Sequence, residues 1–202
     1  MVCITVIKSG GRAEAQSSCI NTYSVDLSNM SIIAITGTPG VGKTTIVELF
    51  SGSDFTILSV KDLAKQYGCE GDFDEATQSM DIDIHRLAEQ FESDLLDEAI
   101  VDGHLSHFLE VDAIVVLRCN PSMLQERLAK RGYSEQKIKA NVEWEMISGT
   151  WSEMIEFELE QPILELDTTN FDPADIYEQI IKWVNEGYSQ DSIPAKIDWL
   201  AK

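Results

Sequence analysis

The sequence is short of positive charge. Its 202 residues carry 15 Lys+Arg against 35 Asp+Glu, a formal charge of −20 with a sequence pI near 4.3. A field this negative repels phosphate backbones, which excludes generic coating of nucleic acid and adhesion to anionic membranes. Cysteine is sparse as well. Cys3, Cys19, Cys69 and Cys119 show neither a CxxC spacing nor paired histidines nearby, which argues against a zinc site and a disulfide framework and fits a reducing, cytoplasmic setting. No run approaches the ~20 apolar residues of a membrane helix, and the stretch from Val2 to Ile7 lacks the basic flank and apolar length of a secretory signal. There is no internal repeat. What the chain does have is 44% hydrophobic residues, too many for a disordered acidic polymer, in a length suited to one compact domain.

The first 29 residues are rich in Ser, Asn, Gln, Gly and Ala, and Lys8 and Arg12 there balance Glu14 and Asp26. The whole −20 therefore belongs to the remainder. This segment is read either as a disordered leader or as a consequence of a mis-assigned start, with Met30 the true initiator. From Met30 onward, short β-rich apolar runs alternate with stretches of helical periodicity, the pattern of parallel βαβ units. Strands are expected at 32–36, 55–60, 99–102, 113–118 and 163–166. Helices are expected at 43–50, 61–67, 81–98, 122–130, 134–160 and 173–186, the last opened by the cap pair Asp172–Pro173. Ile138, Val142, Met146, Trp151, Met154, Ile155 and Leu159 form one broad helical face that would cover the sheet. Residues 187–202, with Pro194, read as a C-terminal extension. The fold class is α/β, a small doubly wound sheet of five mainly parallel strands.

Directly after the first expected strand stands Gly37-Thr38-Pro39-Gly40-Val41-Gly42-Lys43-Thr44-Thr45, which satisfies the phosphate-loop pattern GxxxxGK[ST] and opens a helix. Glycines let successive backbone N–H groups converge on phosphate oxygens, and the helix turns its positive end to the same anion. Lys43 would reach the β- and γ-phosphates, and the Thr44 hydroxyl would join the Mg²⁺ shell. Ala99-Ile100-Val101-Asp102 supplies a second acidic strand end for the metal, through water, and His104 follows two residues later. His104 is read either as a partner for phosphate or attacking oxygen, or as a loop-packing histidine. His85 and His107 have no metal-like partner.

The cations are not evenly spread. Arg118, Arg127, Lys130, Arg131, Lys137 and Lys139 are opposed only by Glu126 and Glu135 in their window, so that stretch is +4 inside a chain of −20. A mobile segment of donors closing over a nucleotide is what phosphoryl transfer requires. Arg118, at a strand end, is as readily structural. A guanine-specific GTPase is disfavoured because Leu117-Arg118-Cys119-Asn120 is not its base-reading segment, and a large AAA-type ATPase is excluded by length. Small-molecule kinases are left.

Over residues 31 to 186 the chain resembles the adenylate kinase 6 type, which joins archaeal adenylate kinases to related eukaryotic ribosome-assembly factors. The resemblance rests on Ile35 to Thr45, Val60-Lys61-Asp62-Leu63-Ala64, Val101-Asp102-Gly103-His104, Val116-Leu117-Arg118, and Glu126-Arg127-Leu128 followed by Lys130-Arg131-Gly132-Tyr133. It implies a P-loop kinase domain over 30–186, with a nucleoside-monophosphate region at 59–83 that includes Ser59, Val60 and Asp62, and a short lid at 130–140 without zinc. It further implies that Gly40, Gly42, Lys43, Thr44, Thr45 and Arg131 bind ATP, that Lys43, Asp102, His104, Arg127 and Arg131 are catalytic, and that Thr44 and Asp102 serve Mg²⁺. An adenine pocket near Thr168, Thr169 and Asn170 is a positional inference. Residues 76–80 and the leader depart from the pattern.

The activity implied is Mg²⁺-dependent reversible transfer of the ATP γ-phosphoryl group to AMP, giving ADP, with ATP hydrolysis beside it. The alternative is an ATP-driven assembly factor for the small ribosomal subunit, acting in rRNA maturation and binding a basic ribosomal protein. A kinase of a sugar or nucleoside is the third reading.

Overall fold

In this computed structural model the residues described are 31–74, 79–93, 96–189 and 197–201. The expected leader and positions 190–196 of the expected extension lie outside them. The order of elements is β1 (Ser31–Thr36), α1 (Lys43–Leu49), β2 (Thr56–Ser59), α2 (Val60–Gln66), β3 (Glu70–Asp74), β4 (Ser79–Ile82), α3 (Ile84–Gln90), β5 (Glu98–Asp102), β6 (Ala113–Arg118), α4 (Pro121–Lys130), α5 (Glu135–Met146), α6 (Gly149–Glu156), β7 (Ile163–Asp167) and α7 (Pro173–Asn185).

Five strands form one parallel sheet in the order β2-β5-β1-β6-β7. The expected α/β class and all five expected strands are present. β1 and β6 are buried along their whole length, which is why both read as unbroken apolar runs rather than alternations: a central parallel strand has a helix layer on each face. Ile33, Ile35, Val115 and Leu117 face one layer, with Phe50, Leu124, Leu128, Ile180 and Trp183. Ile32, Ala34, Ile114 and Val116 face the other, with Leu63, Leu87, Phe91 and Met154. Because the strand order reverses around β1, the crevice at its carboxyl end is where this sheet admits a ligand.

Local chemistry sets the helix starts. Asn120 Oδ1 accepts from Ser122 N at 3.0 Å ahead of Pro121, Ser134 Oγ accepts from Lys137 N at 3.3 Å, and Asp172 Oδ1 accepts from Ala174 N at 2.8 Å ahead of Pro173. Each satisfies an N–H that the first helical turn leaves open.

Two expectations are corrected. The helix expected over 81–98 is only α3, Ile84–Gln90, because residues before it pair as the antiparallel hairpin β3–β4. The single helix expected over 134–160 is two. It stops at Met146 and restarts at Gly149, with Ser148 in the left-handed region at φ 56°. The Glu145 carbonyl is shared between Ser148 N at 3.1 Å and the Arg118 guanidinium at 2.9 Å, and a Cβ on Gly149 would overlap the Trp144 indole. The apolar stripe accordingly divides. Ile138 packs on one core, Trp151, Met154 and Leu159 on the other, while Met146 and Ile155 are exposed.

Candidate active site

The loop between β1 and α1 leaves the sheet at its centre, and glycine is required where it does so. At Gly37, with φ +129°, a Cβ would overlap the Leu117 carbonyl oxygen of β6; at Gly40, with φ +96°, it would stand 2.7 Å from Leu128 Cδ2 of α4. The loop is thus pressed between β6 and α4. Lys43, the first residue of α1, turns its ammonium back onto the loop, donating to the Gly37 carbonyl at 2.6 Å and the Thr38 carbonyl at 3.2 Å.

In front of the loop lies a cleft of about 870 Å³. Gly37, Thr38, Lys43 and Thr44 line one side; Ser59, Val60 and Lys61 from the β2–α2 junction and Phe73, Met80 and Ile82 from the hairpin line another. Asp102, Gly103 and His104 at the end of β5 lie in the same cleft, as do Tyr133, Lys137 and Trp144. The structure therefore brings Lys43, Thr44, Ser59, Val60, Asp102 and His104 together. Gly40, Gly42, Thr45, Asp62, Arg127 and Arg131 are not among the lining residues.

Burial governs the electrostatics. It lowers the Lys43 ammonium from its ordinary value to about 8, against the opposing pull of Asp102 and Glu145. It raises the Asp102 carboxyl, with Lys43 pulling it back. His104 is lowered to about 4, first by burial and then by Lys43, so its imidazole is neutral at physiological pH and acts as a hydrogen-bonding group rather than a cation.

The six cations have separate destinations, Lys130 being exposed in the last turn of α4. Arg118 is buried, its Nε 2.7 Å from Glu145 Oε1 and its Nη1 2.6 Å from Glu165 Oε1, so it belongs to the core and not to a basic lid. Arg127 fastens backbone, donating to the carbonyls of Val41 at 3.3 Å, Thr168 at 2.7 Å and Thr169 at 3.2 Å. Lys139 forms an exposed pair with Glu143. Lys137 lies over the Tyr133 ring at 4.5 Å and lines the cleft. Arg131 caps α4, exposed, and its charge is felt at Lys43. Thr168 and Thr169 stand behind the loop: Thr168 Oγ1 is 2.5 Å from the Val41 carbonyl oxygen, and Thr169 Oγ1 accepts from Asn120 N at 2.8 Å. His107 is buried, its Nδ1 2.9 Å from Thr36 Oγ1.

The phosphate-loop geometry and the sheet order agree with comparison to known proteins. The family profile described as an AAA domain (AAA_18) matches residues 33–148, more than half the chain. A protein named "Putative adenylate kinase" from Pyrococcus abyssi is 42% identical over a match spanning 77% of this chain and 85% of its own, and its namesake from Archaeoglobus fulgidus is 37% identical over 85% and 93%. The chain belongs to this adenylate kinase family. The phosphate loop lies within the AAA match, and the length argument against a large AAA-type ATPase leaves room for one compact AAA domain. The fold of this family member is also that of deoxyadenosine kinase from M. mycoides, with TM-score 0.51, 18% identity, and coverage of 77% of this chain and 99% of that one. At that identity the likeness bears on fold alone.

Sequence reasoning passed over Glu145, which is 2% exposed and reaches the phosphate loop through the Thr38 hydroxyl at 2.5 Å. It also passed over Glu165. A signal for the latter was present: a glutamate in the middle of the apolar run Ile163-Leu164-Glu165-Leu166 needs a buried partner.

Proposed function

We propose that the chain is a nucleotide kinase that transfers the ATP γ-phosphoryl group to AMP. The observation that carries this reading is the single cleft that joins the phosphate loop, on one side, to the β2–α2 junction and hairpin on the other. Residues 59–83 would hold the acceptor and 130–140 would be the lid. The names of the relatives favour AMP over a sugar or a nucleoside.

Gly40, Gly42, Lys43, Thr44 and Thr45 would hold the donor phosphates. Neutral His104 would orient an acceptor oxygen, Arg131 would meet the transferring charge, and Arg127, with its guanidinium engaged by three carbonyls, would position the loop. Such a transfer is accelerated by placement and charge compensation more than by covalent participation of the protein. The donor set also fits Mg²⁺. The Thr44 hydroxyl and Asp102 carboxylate are hard oxygen donors in the cleft, and among the described residues no group of three His, Cys, Asp or Glu could hold a metal. This suits an ion bound mainly by phosphates and water. When bound, Mg²⁺ offsets phosphate charge.

A panel of nucleoside monophosphates with Mg²⁺-ATP, run beside an acceptor-free hydrolysis control, tests the reading. AMP is expected to give ADP faster than the other acceptors, and Arg131→Ala to slow that reaction by about 10²-fold or more. Transfer only to a nonphosphorylated acceptor would overturn the proposal. A second expectation follows from Lys43. Phosphates stabilise its charged form, so above pH 8 binding of ATP draws a proton, and affinity declines as pH rises. Calorimetry at pH 8.5 in buffers of different ionisation heat should register this uptake; no difference between the buffers would refute it.

A further inference from the structure

Among the described residues, Glu145 is the one carboxylate that touches both the core ion network and the phosphate loop. Its Oε2 accepts from the Thr38 hydroxyl at 2.5 Å; its Oε1 accepts from Arg118 Nε at 2.7 Å, Cys119 N at 3.1 Å and Trp199 Nε1 at 3.1 Å. Three donors converge on Oε1 and one on Oε2, so the carboxylate is held from both of its oxygens. Arg118 in turn is held by Glu165, whose other oxygen accepts from Ile197 N at 2.7 Å. The C-terminal residues 197–201 thus close the back of the network, with Trp199 buried and its ring 5.9 Å from the Arg118 guanidinium carbon.

Thr38 itself is 1% exposed. It is flanked by Gly37, which lacks a side chain to hold it, and its carbonyl takes one of the two donations from Lys43. The Thr38 hydroxyl is therefore the point at which the buried network sets the path of the loop. The pairing of Arg118 with Glu145 Oε1 and Glu165 is made without Thr38, so the reach of Glu145 Oε2 to the loop is a contact that the ion cluster itself does not need. Moreover, α5 begins within the segment 130–140 and Glu145 lies in its last turn, so the residue also fixes the far end of the helix that leads out of that segment.

We propose that Glu145 is a positioning residue for the donor site, holding Thr38 and so the phosphate loop in the shape that receives ATP, and that Trp199 of the C-terminal segment completes its shell. The inference rests on the reading of the loop as an ATP site, and binding is measured on the full chain so that the two are separable: a wild-type protein that does not bind ATP defeats that reading, whereas the comparisons among variants test this one.

The test is titration of ATP into wild type, Thr38→Val, Thr38→Ser and Trp199→Phe, with melting temperature and acceptor KM measured in parallel. Thr38→Val deletes the hydroxyl at nearly constant volume and leaves Arg118, Glu145 and Glu165 paired. ATP affinity is expected to drop on the order of tenfold, as for loss of a charge-assisted hydrogen bond, with acceptor KM unchanged and Thr38→Ser restoring the wild-type value. Trp199→Phe should lower ATP affinity less, about two- to fivefold, and the double variant should fall short of the product of the single effects because both act through one carboxylate. A change in melting temperature with unaltered ATP affinity in Thr38→Val would overturn the proposal, as would equal loss in the valine and serine variants. Independent, multiplicative effects would remove Trp199 from it.

Discussion

Lys43→Met is expected to reduce ADP formation from ATP and AMP by about 10²–10³-fold, the range in which removal of one preorganised electrostatic donor falls. Methionine keeps most of the length of the lysine stem and deletes the ammonium that now lies 2.6 Å from the Gly37 carbonyl oxygen. The loss should not arise from unfolding. Folding lowers the Lys43 pKa from 10.5 to about 8, so the native state disfavours the charged lysine and binds fewer protons than the unfolded chain between those values. Wild-type stability on this account increases with pH across that interval, and at pH 7 the methionine variant should melt no lower than wild type. A steady-state assay paired with a melting curve checks both halves. Near-normal turnover would sink the catalytic assignment of Lys43, and a sharply lowered melting temperature would show that its ammonium supports the fold instead.

The largest effect on stability is expected from Arg118→Leu. The guanidinium is 2% exposed, between Glu145 and Glu165, exposed by 2% and 1%, and its removal strands two buried carboxylates without a cation. Breaking a buried pair in this way costs about 3–5 kcal/mol, a substantial part of the net stability of an ordinary domain. Because protonation relieves a stranded carboxylate, the native variant should take up protons more readily than its unfolded chain. Its deficit relative to wild type is therefore greatest at neutral pH and narrows as pH falls through the carboxylate range. Urea denaturation at pH 7 and pH 5 measures this; a deficit below 1 kcal/mol at pH 7, or one that widens on acidification, would show that the charges are not held as the structure places them.

How far the sequence could be read depended on whether local chemistry or distant contacts decided each feature. β1, β6 and the phosphate loop were legible because unbroken apolar runs and a glycine-lysine pattern are signals carried by a few adjacent residues. The hairpin β3–β4 was not. Gly71 and Asp72 disfavour strands, and only Phe73, Met80 and Ile82 mark its apolar side. The division of α5 from α6 was hidden for a different reason, since the spacing from Ile138 to Leu159 suits one continuous helix and the break is imposed by Arg118, far away in the chain. The six cations show the same limit. Counting gave their sum but not their direction, and Arg118 and Arg127 turn inward to carboxylates and carbonyls while Lys137 lines the cleft. Glu145 was invisible because its partners Thr38, Arg118 and Trp199 come from three remote stretches.

The place of β1 in the sheet has a consequence for the order of events during synthesis. Ser31 to Ile35 pair with Glu98 to Asp102 on one side, and Ile33 to Thr36 pair with Ala113 to Val116 on the other. The loop that follows β1 is braced by Leu128 at Gly40 and by the Thr168 hydroxyl at the Val41 carbonyl. A nascent chain therefore carries its phosphate-loop sequence out of the ribosome long before it can hold that loop in shape. The apolar β1 must wait unpaired until β5 has emerged, about halfway through the domain, and its other edge until β6 follows. Non-local pairings of this kind slow folding and leave a strand edge open to misassociation in the interval. The nucleotide site is among the first parts of the domain to be translated and among the last to exist.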